Sequence, residues 1–557
     1  MESLRSAHAA SLLLAGLILA TLGVVASTWS EFGATWDEPE HLAAGMELLD
    51  RGRYDYDLQH PPLARVAIAL GPWLAGERSH GLPPPDGRAE GLAILHDSVG
   101  YDRTLSLARA GVLPFLALLL WVTYRYARRM LARGAALLAV AFVAMTPTVL
   151  GHAGLATLDV PAAATGLLAF YALQCWLDTG RLRDAAAFGL ASGVAVMTKL
   201  SAIPFIGLGG LLLWALSVLT QRRGHGPSWP GAGLALLGVL AVIVLAYGGG
   251  FSHWIDDTRR YDAALHYLFG DRGVVHDLAT RFATEVPLPD GLRLMIGGIQ
   301  ALQVHNAAGH LSYLFGEVRS DGWRYFYVVA LGVKTPLPLL LAGLAGLVLL
   351  AVRGWRRRDA WSLAPALLFC VILAFASGYS RINIGVRHVL VLLPLLAIGA
   401  AASMAALAAR VRHRDAPAAA RGAAAIMLVV MLAWQAWGTA RAWPDYLAWF
   451  NETTPDPARI LVDSDLDWGQ DLRRLERRLA ARRIPYVSIA YSGSADLARE
   501  ALPPYRVLAP GVRATGWIAI SALARVEGRG GYDWLYAYRP VERIGRTVDL
   551  YFVPGPR

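Results

Sequence analysis

Apolar runs of membrane-crossing length recur along the whole chain, near 9–28, 108–124, 134–150, 160–177, 184–198, 201–220, 231–250, 336–352, 361–378, 389–409 and 422–440. Most hold 17–21 residues, the length a helix needs to cross a hydrocarbon layer about 30 Å thick. The stretch 184–220 is too long for one crossing and is interrupted at Lys199, so it reads as a hairpin that reaches the far side and returns. Eleven crossings follow. Composition agrees: 55% of the 557 residues are hydrophobic and 17% are charged, against about 25% charged in soluble domains. A single soluble globule, a disordered chain and a collagen are excluded on these figures. Cys175 and Cys370 lie in separate apolar runs, which leaves no disulfide framework and no cysteine metal site.

Arginine marks one side of the membrane. Arg5, Arg125, Arg128, Arg129, Arg133, Arg181, Arg183, Arg222, Arg223, Arg353, Arg356, Arg357, Arg358, Arg410, Arg412, Arg414 and Arg421 fall in alternate loops. The opposite short loops, 151–159 and 379–388, hold only Arg381 and Arg387. The positive-inside rule then places the N-terminus in the cytoplasm and, with an odd number of crossings, the C-terminus outside. The net charge of +10 is a record of sidedness, and nucleic acid is not an expected partner. The expected location is the cell's inner (plasma) membrane, with a cleaved signal peptide as the alternative reading of 9–28.

The expected fold is an α-helical polytopic membrane body over 1–440, with external loops at about 29–107 and 251–335, followed by a small external α/β unit over 441–557. Two interfacial helices are expected at 39–50 and 61–75, each opened by proline. In the tail, Ile460–Val462 reads as a strand, Leu466–Arg483 as a charged helix and Tyr486–Tyr491 as a second strand.

Polar residues gather where the expected external loops meet the spans. Asp37 and Glu38 follow the first span; they read either as acids capping a helix or as a general base whose proton affinity is raised by partial burial. His60 and Arg65 close the same loop, as a rigid turn or as substrate contacts. His152 and Asp159 flank the next external turn, and an ionisable group at the start of a span is costly unless it faces a cavity. Only two of the 52 basic residues are lysine, Lys199 and Lys334, both at external span ends. A compact ammonium there suits phosphate, and snorkelling explains Lys334 equally well. Arg381, Asn383, Arg387 and His388 crowd a short external loop where the sidedness rule disfavours cations, which points to an external anion. Asp463, Asp465 and Asp467 imitate the opening of a calcium loop, but Trp468 and Arg474 occupy positions that an EF-hand gives to Gly and Glu, so a helix start is expected instead. No Walker motif, HExxH or GxSxG is present.

In order along the chain stand Asp37-Glu38, His60-Pro-Pro-Leu63, Leu158-Asp159-Val-Pro161, Met197-Thr-Lys199, Lys334-Thr-Pro-Leu-Pro338 and Arg387-His388. Together they resemble the GT-C glycosyltransferases of the protein O-mannosyltransferase and lipid A aminoarabinose transferase type, over roughly 9–405. The segment 463–471 is similar to one found in bacterial lipid-carrier-dependent glycosyltransferases. The resemblance implies inverting transfer of a sugar from a polyprenyl (undecaprenyl) phosphate carrier to an external acceptor, which is a protein, a lipid or a glycan. It implies that Asp37 is the catalytic carboxylate, with Glu38 beside it. On chemical grounds Asp159 would position the acceptor or orient a cation, and Lys199, Arg387 and His388 would stabilise the leaving phosphate. No cofactor is required, although Asp37, Glu38 and Asp159 are compatible with a divalent ion. The chain departs from the family in lacking any sign of a β-trefoil insertion and in having fewer spans than aminoarabinose transferases. A flippase of lipid-linked sugars would use the same cations but calls for ionisable groups deep within spans. A membrane-anchored binding protein leaves the order of the polar residues unexplained.

Overall fold

The computed structural model describes residues 2–555 except 85, 99, 221–227, 254–272, 275, 276, 279, 282–285 and 413–416. Arg222, Arg223 and Arg414, used above to read sidedness, lie outside the described residues, as does part of the loop 251–335.

The chain is mainly helical. Among the described residues nine helices are long and apolar enough to cross a membrane, and the bent pair Arg133–Ala144 and Pro147–Ala153 makes a tenth if counted as one crossing. That pair is broken because Pro147 has no N–H for the helical ladder, and its halves diverge by 64°. The eleventh expected crossing is the helix Leu182–Thr198, with only 17 residues and with Asp184 in its first turn. Close approach of backbones fixes the bundle. A Cβ at Gly346 would come within 1.7 Å of the Gly399 carbonyl oxygen, so Leu337–Arg357 and Leu392–Arg412 touch through small residues, as membrane helices do.

The two interfacial helices are present as Glu38–Arg51 and Pro62–Leu74, with prolines in their first turns. They pack tightly for the same reason: a side chain at Gly45 would collide with the backbone of Arg65.

After Ala442 the chain builds a five-stranded sheet in the order Tyr505–Val507, Val487–Ala490, Gly516–Ser521, Val548–Val553, Glu542–Ile544. The first two pairings are parallel and the last two antiparallel. Leu472–Ala481 lays its apolar residues on this sheet, with Leu472, Leu475 and Leu479 buried among Val487, Ile489 and Leu550. The expected strand at Ile460–Val462 does not form. Leu461 packs into the membrane body and Val462 into a cluster with Leu466 and Leu523, and the chain turns at once into the short helix Asp463–Leu466. The apolar run there reflects burial between units, not pairing in a sheet.

The tail is fastened to the body by polar bonds. Gly33 and Trp36 donate their amides to the carbonyls of Gln470 and Trp468, each at 3.1 Å. Lys334, fully buried, donates to the carbonyls of Leu447 (2.7 Å), Trp449 (2.6 Å) and Asp465 (2.7 Å). Replacing the ammonium leaves three buried carbonyls without their donor. Lys334→Met is therefore expected to cost roughly 3 kcal/mol or more, read as a lower unfolding temperature in detergent and faster proteolysis of the tail.

Candidate active site

A cavity of about 690 Å³ lies where the helix ends converge. Part of its lining is apolar, with Leu200, Ile203, Phe205, Ile299, Leu302 and Phe375, and part carries charge. Four separate chain segments deliver that charge. Asp37 immediately precedes Glu38–Arg51, and Asp159 is the first residue of Asp159–Thr179. Lys199 is extended (φ −157°, ψ 130°) at the break after Leu182–Thr198. Arg387 and His388 sit in the 3-10 turn Val386–Val389.

Arg387 is the centre of the arrangement. It donates to Asp37 at 2.6 Å, stands 3.8 Å from Asp159 and lies over the Trp468 ring at 4.2 Å from its centroid. Lys199 donates to the other oxygen of Asp159 at 2.7 Å. Burial works against the Arg387 charge, but the carboxylates of Asp37 and Asp159 outweigh it and hold the proton more firmly than usual. Burial drives His388 well below the ordinary imidazole range, helped by Lys199 and Arg387, and drives His60 down to about 4. Both rings are neutral at neutral pH. Arg387 Nε, His388 Nε2 and Asp159 Oδ2 are buried and, among the described residues, have no hydrogen-bond partner. Unsatisfied buried polar atoms are expensive, and these three belong to residues lining the same cavity.

Five of the residues singled out from the sequence line the cavity besides Asp37: His60, Asp159, Lys199, Arg387 and His388. The others do not. Glu38 points away from it. Its carboxylate accepts from Thr35 N, Thr35 Oγ1, Ala156 N and, at two contacts, the buried Arg109 guanidinium. Arg65 is buried beneath the His60 loop, ion-paired with Asp57, and donates to Tyr54 Oη at 3.0 Å and His41 Nδ1 at 3.2 Å. It fixes His41 and His60, whose rings meet edge to face at 5.6 Å. His152 is buried against the edge of Trp468. Lys334 serves the tail, as described. Arg381 is exposed beside Ala307, and Asn383 accepts the Trp323 amide at 2.6 Å.

Sequence reasoning missed Glu40, His41, His305 and His310, and above all Asp463 and Trp468 of the tail, all of which line the cavity. His305 bridges Gln59 (2.9 Å) and His310 (3.0 Å). The Asp-rich run 463–471 is the one signal that pointed to the tail.

The acids do not fit a divalent ion. Glu38 is consumed by Arg109, Asp37 by Arg387 and Asp159 by Lys199. No group of three or more His, Cys, Asp or Glu among the described residues is arranged to hold a metal.

Glu38 and Asp37 are adjacent but should behave oppositely. Breaking the buried Glu38–Arg109 pair by Glu38→Gln is expected to cost about 3–5 kcal/mol, seen as a lowered unfolding temperature. Asp37→Asn, in a partly exposed pair, should shift that temperature far less.

Residues 52–249 match the family model for dolichyl-phosphate-mannose-protein mannosyltransferase. Among solved structures, ArnT from Cupriavidus metallidurans in the apo state is 15% identical with a TM-score of 0.46, covering 99% of this chain and 100% of that one. The protein O-mannosyltransferase Pmt1-Pmt2 complex of S. cerevisiae, bound to the sugar donor, gives 13% identity and a TM-score of 0.49, covering 78% of this chain and 90% of that one. The Archaeoglobus fulgidus oligosaccharyltransferase in the apo form gives 13% and 0.39, covering 79% and 58%. No curated protein sequence matches the chain. With the family match over 52–249 and the ordered motifs from Asp37 to His388, this multi-pass membrane chain resembles the glycosyltransferases of the GT-C type.

Proposed function

We propose that the chain is an inverting glycosyltransferase of the inner (plasma) membrane that moves a sugar from a polyprenyl-phosphate carrier to an acceptor. The cavity opens on the outer face, with the body 1–440 carrying the chemistry and the tail 441–557 folded beside it. The observation that carries this reading is the mixed lining of the cavity, which combines apolar side chains with Lys199 and with Arg387 Nε and His388 Nε2, both without a hydrogen-bond partner among the described residues. An isoprenoid tail suits the apolar part, and a phosphate suits the cations.

In the reaction the acceptor oxygen bonds to the anomeric carbon from the face opposite the phosphate, and its proton passes to Asp37. The bond between that carbon and the phosphate oxygen breaks, and its electron pair stays on the phosphate. Lys199, Arg387 and His388 meet the growing negative charge. Protonation of Asp37 weakens its hold on Arg387, so the guanidinium becomes available to the phosphate as the phosphate needs it. Asp159, which holds Lys199 at 2.7 Å, keeps that ammonium aimed.

The test is release of radiolabelled sugar from undecaprenyl-phosphate donors by the purified protein in lipid nanodiscs. Asp37→Asn should abolish release while undecaprenyl phosphate still binds, whereas Lys199→Ala should weaken carrier binding by roughly tenfold to a hundredfold, the worth of one charge-assisted hydrogen bond. Full turnover by Asp37→Asn would remove Asp37 from the role of base.

A further inference from the structure

The tail contributes directly to the cavity, and one of its carboxyls accepts only a neighbouring amide among the described residues. Three of the four acids of the segment 463–471 are spent on structure. Asp465 accepts the Val386 amide at 3.1 Å. Asp467 accepts the amides of Leu523 (2.7 Å) and Gly469 (3.2 Å). Asp471 accepts from Arg546 N and Thr547 Oγ1 and pairs with Arg474. Asp463 differs. It lines the cavity, and its one recorded hydrogen bond among the described residues is from the adjoining amide of Ser464 at 2.6 Å.

Its neighbours define which part of the reaction it faces. Trp468, five residues on, covers the Arg387 guanidinium, and the Asp465 carboxylate accepts the amide of Val386, one residue before that arginine. Asp463 lines the same cavity as Arg387, and the two side chains interact electrostatically. Apolar residues such as Leu200 and Phe205 line the same cavity. Val462 and Leu466, close to Asp463 in the chain, line a second and larger cleft of about 1890 Å³. Burial pushes the Asp463 carboxyl up to about 7, Arg387 opposing it, which suits a group exchanging hydrogen bonds at neutral pH.

We propose that Asp463 is a catalytic residue supplied by the tail, the carboxylate that accepts a hydrogen bond from the acceptor's nucleophilic hydroxyl or amine and turns its lone pair toward the sugar carbon. This rests on the transferase reading above. No bond is made or broken at Asp463; the proton goes to Asp37. The acceptor's reacting group must then itself be a hydrogen-bond donor, and the tail is part of the catalytic apparatus.

The backbone offers a competing explanation that the test separates. Asp463 has φ 34°, a left-handed conformation that Asp and Asn adopt more readily than other side chains. The full-length protein in nanodiscs is assayed for undecaprenyl phosphate affinity and for the rate of radiolabelled sugar release to water at saturating donor. Asp463→Ala should lower release at least about tenfold, the effect of one oriented hydrogen bond, with carrier affinity within about twofold. Asp463→Asn, which keeps the backbone preference and one acceptor oxygen, should recover part of the rate. Unchanged release by Asp463→Ala overturns the proposal, and so does joint loss of release and carrier binding, which marks a role in holding the fold. A wild-type protein that binds no carrier and releases no sugar refutes the transferase reading itself, a failure seen without any variant.

Discussion

Arg387 is held by two carboxylates and one indole face, and each contact comes from a different part of the chain. Asp37 belongs to the loop after the first helix, Asp159 to the start of a central span, and Trp468 to the tail. A guanidinium in so dry a place needs compensation, because an unpaired buried charge costs several kcal/mol. The same compensation assembles the cavity, since satisfying Arg387 draws all three segments to one point. Lys199 repeats the principle on a smaller scale, reaching Asp159 from the break between two helices. Cations so neutralised are poor lures for a second anion unless one of their partners can give way. On the proposed mechanism Asp37 is that partner.

The membrane explains why this polar cluster lies at helix ends. Charge in the hydrocarbon is expensive, whereas at the ends of spans it meets loops, exposed amides and a second layer of protein. The tail provides that layer. Its Gln470 and Trp468 carbonyls accept the Gly33 and Trp36 amides and fix the loop that bears Asp37, and Asp465 fixes the turn that bears Arg387. Both sides of the Asp37–Arg387 pair are thus referred to the nine residues 463–471. Lys334 holds the same segment from beneath through the Asp465 carbonyl.

The bundle was legible in the sequence because membrane crossing imposes a length and a composition that a linear reading detects directly. The interfacial helices were legible through their prolines, and Asp37, Asp159, Lys199 and Arg387 through being ionisable at span ends. What failed to show was direction. Lys199 and Lys334 have the same local signature, yet one reaches Asp159 and the other three carbonyls. Ile460–Val462 carries the apolar density of a strand, but its burial comes from contacts with the membrane body. The meeting of Trp468 with Arg387 spans 81 residues of sequence, and no periodicity encodes such a contact.

Asp37 and Glu38 show how two adjacent acids acquire unlike tasks. Successive residues at a helix start point about 100° apart, so a wall that buries one exposes the other. Glu38 faces Arg109 and gathers the Ala156 amide as well, tying its own loop to the turn ahead of Asp159. That buried pair does not line the cavity, yet it fixes the backbone one residue from Asp37. Asp37 keeps partial exposure and pairs with Arg387. A carboxylate that receives a proton, as proposed for Asp37, needs a rigid backbone and a replaceable counter-ion together. The neighbouring residue supplies the first, and Arg387 supplies the second.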